Sequence, residues 1–190
     1  MQIPSLTLAF YDTETTHLSH HQGEVIQFGL ILIKEGEIIK KVERKIKPRH
    51  IETAHPKALE INGYNEEEWK EALDPVEAAL ELADLLKDTL LIAHNAPFDI
   101  RHTFQFFLTN KVQFDISSLP YIDTKVLAKQ IFKDQFKSYS LDNLRDSFGW
   151  SKIAAHTALK DAEDCCRLFY ACTSQPCPLD RDLTWELDFK

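Results

Sequence analysis

LTLAFYD (residues 6–12), VIQFGLILIK (25–34) and EIIKKVERKIK (37–47) open the chain, and their reading decides the fold. The first is an apolar run that stops at an acidic turn. Glu35-Gly36 separates the other two, a spacing that suits a two-residue hairpin turn. Together they predict an antiparallel three-stranded start in which the first strand is central. Further on, HPKALEIN (55–62) predicts a short helix closed by Gly63, and Asp74-Pro75 opens a stronger one. Val76, Ala79, Leu80, Leu82, Ala83 and Leu86 form the apolar stripe of that second helix. TLLIAHN (89–95) reads as a short buried strand. A helix follows from Pro97 to about Thr109, with Ile100, Phe104, Phe107 and Leu108 on one face. Tyr121 and Ile122 predict a last strand edge, with a helix over 124–132. Ser140 caps LDNLRDSFG and Gly149 ends it, and Thr157 to about Ala171 is a closing helix. Ala158, Ala162, Cys165, Cys166 and Phe169 form its inward side. Strands first, then strand–helix alternation, predict an α/β domain with a mixed sheet.

The bulk composition sets the class. At 190 residues, 44% hydrophobic and 27% charged, the chain suits one domain with a single substantial core. No apolar run approaches the roughly 20 residues of a spanning helix. The opening MQIPSLTLAFYDTET lacks the basic start and small-residue cleavage site of a signal peptide. These features predict a cytoplasmic protein with no membrane partner. Cys165, Cys166, Cys172 and Cys177 crowd together, and an adjacent pair inside a helix makes a poor disulfide framework and a poor zinc box. They read as reduced, core-filling thiols. A net charge of −8 argues against a protein that coats duplex nucleic acid by neutralising phosphates. It suits an enzyme that holds a strand end through cations, because clustered carboxylates become favourable when divalent metals occupy them. The expected domain covers residues 1–173, and residues 174–190, with Trp185 and Phe189, form a tail.

Three stretches carry candidate chemistry. Asp12 and Glu14 stand two apart at the end of an apolar strand, so both carboxylates share a face. Hard divalent cations take oxygen ligands, and a metal pair stabilises the attacking and leaving oxygens of a displacement at phosphorus. Taken alone, DTETT is better read as a strand-end cap and turn. Asp99, in HNAPFD, falls in the first turn of a helix, where the dipole favours an acid whatever its function. His156 and Asp161 lie in HTALKDAEDC, the histidine on the loop and the aspartate facing the core side. A buried-side carboxylate needs a partner, and a metal would be one. Small Ala158 and Ala162 leave room for close approach to a sheet. Histidine titrates near neutrality and can take a proton from an attacking water.

In this order, DTETT, HNAPFD and HTALKDAEDC resemble the three motifs of the DEDD exonucleases, in the histidine-containing, DnaQ-like (DEDDh) branch. The resemblance spans roughly residues 7–170. It implies a ribonuclease-H-like fold, a mixed five-stranded sheet flanked by helices with the site at one edge. It also implies a metal-dependent 3′→5′ exonuclease using two divalent ions, Mg2+ or Mn2+. By motif, Asp12, Glu14 and Asp161 would ligate the first metal, with Asp12 bridging to the second. Asp99 would complete the set through water, and His156 would be the general base. Leu18 would meet the terminal base, Asn95 and Phe98 would line the strand-end pocket, and Thr13 and Thr15 join them as candidate substrate contacts. Family members commonly show Gly after DTETT, where this chain has His17, which touches the loop reading the terminal nucleotide and not the chemistry. The implied partner is the 3′ end of a single strand, DNA before RNA. The alternative is a polymerase-associated proofreading or nucleic-acid-binding module with reduced nuclease activity.

Other residues carry weaker signals. His17, His20 and His21 have no ligand partners at finger spacing and read as a solvated loop. His94 and His102 read as orienting or surface groups. Lys40, Lys41, Arg44, Lys45, Lys47 and Arg49 form a basic run, ordinarily a solvated strand face and otherwise a guide for a strand. Among only five glycines there is no phosphate-cradling loop.

Overall fold

The computed structural model describes residues 6–153 and 155–180. β1 (Thr7–Thr15), β2 (Val25–Lys34) and β3 (Glu37–Lys45) form the antiparallel start, and β4 (Thr89–Ala93) and β5 (Tyr121–Asp123) extend it in parallel. The strand order β3-β2-β1-β4-β5 puts β1 in the middle of the whole sheet, but within the antiparallel start the central strand is β2 and not β1, because the hairpin pairs β2 with β3 along one edge and leaves only its other edge for β1. Glu35 and Gly36 both take positive φ, 53° and 76°, the condition for a tight turn matched to strand twist.

Helices cover both faces. α1 (Pro56–Ile61) is a short element on the connection from β3. α2 (Pro75–Leu86) is capped by the Asp74 carboxylate, which accepts from Val76 N–H. α2 and α3 (Ala96–Thr109) pack on one side of the sheet against Ala9, Tyr11, Phe28 and Leu30. On the other side α6 (Ala158–Cys172) packs Cys165, Cys166 and Tyr170 against Phe10, Ile31 and Ile92. α4 (Thr124–Phe132) and α5 (Leu141–Phe148) lie behind α6, joined through Ala128, Phe132, Leu144 and Leu168. This is the ribonuclease-H-like arrangement.

Two helical stripes differ from expectation. Val76 and Leu80 of α2 are exposed and Ala78 is buried in their stead. In α3, Phe104 and Leu108 are exposed, while Asp99, His102, Thr103 and Phe106 face inward. The rotation has a polar cause: Thr103 Oγ1 meets the Tyr11 hydroxyl at 2.7 Å, and Asp99 binds β1. Half of the basic run is paired with acids: Lys41 with Glu163, Arg44 with Glu81 and Lys45 with Glu68. All four cysteines are free thiols. After α6 the chain returns to the sheet, with Cys177 and Leu179 packed on the α6-side core and Asp180 bound by Arg167. Trp185 and Phe189 lie outside the described residues.

Candidate active site

Strand alternation sorts the DTETT side chains. Phe10 belongs to the α6-side core and Tyr11 to the opposite one, so Asp12 and Glu14 point toward α6 while Thr13 points toward α3. Helix α6 brings the third group. One oxygen each of Asp12, Glu14 and Asp161 lies within 4.8 Å of the others, the one such group among the described residues. Three carboxylates at this separation fit a hard divalent cation.

Close approach of α6 makes this convergence possible. Gly29 pairs with Asp12 across the β1–β2 ladder, and the α6 backbone at Ala158 and Leu159 lies directly over it. The first turn of α6 is held by side chains of the sheet. Gln27 Oε1 accepts from Ala158 N–H at 3.3 Å, and Glu43 Oε1 accepts from Leu159 N–H at 3.2 Å. Glu43 also places negative charge at the positive end of the helix.

Asp99 approaches from the other side and is not in the trio. Its Oδ1 accepts from Thr13 N–H at 3.1 Å and from Thr13 Oγ1 at 2.8 Å, so it locks the residue between the two strand carboxylates. Asn95, the residue before α3, has φ 70°, and its N–H donates to Asp123 Oδ1. That turn aims the start of α3, and Asp99 with it, at β1. His156 lies before α6 with φ 64°; its N–H donates to Asp161 Oδ1 and its ring is part-exposed.

The electrostatics are those of a site built for cations. Burial, then Asp99, Asp161 and Glu14, push the Asp12 carboxyl well above the usual range. Burial, then Asp161 and Asp99, push Glu14 up to about 8 against the pull of Arg145. Asp99 rises to about 7 through burial, against the pull of its Thr13 hydrogen bonds. Asp161 is raised by burial and restrained by Arg145. A divalent cation reverses each of these penalties at once.

Substrate candidates occupy the same end of the sheet. Leu18 is 83% exposed on the loop after β1. The Phe98 ring lies 4.3 Å from that of His102, tilted by 41° to it, and His102 Nε2 binds Leu18 O. Thr13 Oγ1 is committed to Asp99, and Thr15 Oγ1 donates to His17 O. His94 is pinned between Thr124 Oγ1 and Tyr139 O, and burial lowers both His94 and His102 to about 4. Both are therefore neutral orienting groups near neutral pH.

One partner was not foreseen. Asp161 has an in-chain cation, Arg145, whose Nη2 donates to Asp161 Oδ1 at 2.5 Å and whose Nε donates to Asp164 Oδ2 at 2.6 Å. The available signal was an arginine in the apolar positions of LDNLRDSF, beside Leu141 and Leu144, together with an acid one turn after Asp161.

A family model described as exonuclease, of the RNase T type, matches residues 9–169. The chain belongs to this exonuclease family. Within the DEDD exonucleases it is similar to the PolC-type DNA polymerase III of Thermotoga maritima, 35% identical over 164 residues, 86% of this chain and 12% of that one. The PolC-type polymerase III of Streptococcus pneumoniae is 31% identical over 173 residues, 90% of this chain and 11% of that one. The chain thus spans about an eighth of these polymerases. Among solved structures, E. coli Exonuclease I in complex with a dT13 oligonucleotide superposes with a TM-score of 0.75 at 19% identity, covering 90% of this chain and 41% of that chain. The zinc-bound E. coli Exonuclease I–ssDNA complex gives 0.74 at 21% identity, covering 92% and 42%. At these identities the likeness establishes the exonuclease fold. Among the described residues, no helix is long and apolar enough to cross a membrane.

Proposed function

We propose that this exonuclease removes nucleotides one at a time from the 3′ end of single-stranded DNA, with RNA as second substrate. The carrying observation is the convergence of Asp12, Glu14 and Asp161 at the end of the central strand, with Asp99 and His156 beside them. The neighbours' oligonucleotide complexes support the choice of a single DNA strand. Asp12, Glu14 and Asp161, with Asp99 beside them, would hold two divalent ions, Mg2+ or Mn2+. When bound, such a pair stabilises charge on the attacking and leaving oxygens of an in-line displacement at phosphorus.

The chain's own groups do the rest. His156 takes the proton of the attacking water as general base. Attack releases a nucleoside 5′-monophosphate and leaves a 3′ hydroxyl on the shortened strand. Leu18 presents apolar surface to the terminal base, Phe98 and Asn95, joined by the bond from Phe98 N–H to Asn95 O, form the wall of the strand-end pocket, and Thr15 is a further contact on β1. Thr13, which stands between the two strand carboxylates, acts from behind by holding Asp99. A second reading rests on the PolC-type relatives: the domain proofreads beside a polymerase. We place the protein in the cytoplasm, where its four free thiols stay reduced.

The test uses DNA and RNA oligomers labelled at the 5′ end, with Mn2+, Mg2+ or EDTA. The expected result is a metal-dependent ladder of products shortened from the 3′ end, faster on DNA. Absence of cleavage, or immediate release of the labelled 5′ nucleotide, refutes the reading.

A further inference from the structure

Arg145 is 1% exposed and Asp164 0%, deep between α5 and α6. The guanidinium meets three carboxylates: Asp164 Oδ2 through Nε, Asp161 Oδ1 through Nη2, and Asp142 Oδ1 through Nη1 at 2.8 Å. Asp164 is itself fixed, since its Oδ1 accepts from Lys160 Nζ at 2.5 Å and from Arg167 Nη1 at 3.0 Å. The arginine is therefore anchored on one side and holds a candidate metal ligand on the other. A buried ion pair is a poor way to gain stability, because apolar residues of like volume commonly do as well or better. Its use here lies in what it holds.

Two donors converge on Asp161 Oδ1, Arg145 Nη2 and the His156 N–H at 3.1 Å, which leaves Oδ2 as the oxygen for a cation. The same backbone bond fixes the left-handed turn at His156. Asp142, the third carboxylate on Arg145, also lies 3.7 Å from His156 Nε2. One guanidinium thus ties together the ligand, the turn that carries the base, and a carboxylate beside the base's ring. We propose that Arg145, anchored by Asp164, is a positioning residue that sets the orientation of Asp161 toward the metal and of the His156 turn toward the substrate. This rests on the reading of Asp161 as a metal ligand.

Arg145→Lys keeps the buried charge and loses the fork that spans two carboxylates. Arg145→Met with Asp164→Leu removes the pair as a unit. Mn2+ affinity is measured by calorimetry without substrate, alongside kcat, KM and the melting temperature in EDTA. In both variants Mn2+ affinity and kcat should fall by about 10- to 100-fold, the usual effect of losing a group that orients a ligand. KM for a dT oligomer should stay within about two-fold, because the strand is not touched by Arg145. Wild-type Mn2+ affinity in either folded variant overturns the assignment; if the double variant fails to fold, Arg145→Lys decides alone. Asp12→Asn separates the two readings. If it binds Mn2+ like the wild type, the metal-site reading fails. If it loses Mn2+ while Arg145→Lys does not, only the positioning role fails.

Discussion

Gly29→Ala should disable the site by moving a helix, without touching any carboxylate. A Cβ at position 29 would stand 2.2 Å from Ala158 C and Leu159 N and 2.3 Å from Ala158 O, where ordinary contact begins at 3.4 Å. All three atoms are backbone, so no side-chain rotation relieves the clash, and the start of α6 must lift by about 1.2 Å, the difference between those contact distances. Asp161 lies three residues past Ala158 and rides on that first turn. The lift also stretches the bonds from Ala158 and Leu159 to Gln27 and Glu43. Overpacking of this kind costs about 1–3 kcal/mol. For a chain of this size that lowers the melting temperature by roughly 2–12 °C. A misplacement near 1 Å can cost about 10²-fold in rate, so kcat/KM should fall by roughly 10- to 100-fold. The assay pairs urea denaturation with nuclease rates on a dT oligomer. Gly149→Ala is the control: φ is 67° with nothing within 4 Å, so it should cost about 1–2 kcal/mol in backbone strain and spare the rate. A folded Gly29→Ala protein with wild-type rate and Mn2+ affinity would refute the reasoning.

Three further outcomes are expected. Asp12→Asn should abolish nuclease activity with the fold intact, and Mn2+ should raise its melting temperature far less than that of the wild type; equal shifts would count against a shared metal site. His156→Ala should lower kcat by about 10²–10⁴-fold with little change in Mn2+ affinity, and an unchanged kcat would remove it as the base. In EDTA, stability should decline as pH rises from about 4 to 8. Burial raises Glu14 to about 8 and Asp99 to about 7, so the folded state holds more protons than the unfolded one across that window. Each group contributes at most about 1.4 kcal/mol per pH unit, and Mn2+ should offset most of the loss. Urea midpoints that rise with pH in EDTA would contradict the raised carboxyls.

The elements themselves were legible because their signals are local. The Asp74 and Ser140 caps, the Glu35-Gly36 turn and the short apolar run Leu8–Tyr11 of β1 act through neighbours a few residues away. The inward faces of α2 and α3 were harder to read. Apolarity alone placed Val76, Leu80, Phe104 and Leu108 inside, while the structure buries Asp99, His102 and Thr103. In α3, the bonds of Thr103 and Asp99 to β1 overrode hydrophobic patterning, and they join residues about 90 apart in the chain.

The sequence by itself determined the order of strands and helices, the pairing of Asp12 with Glu14 on one strand face, and the place of Asp161 at the start of a helix. Those follow from the periods of strand and helix, which are properties of the local backbone. Only the tertiary structure decided which groups meet. It set Asp99 against Thr13 and outside the trio, because adjacent strand residues face opposite sides of the sheet. It placed Gly29 under α6 and Arg145 against Asp161 and Asp164, because steric room and buried charge exist only where separate elements pack together.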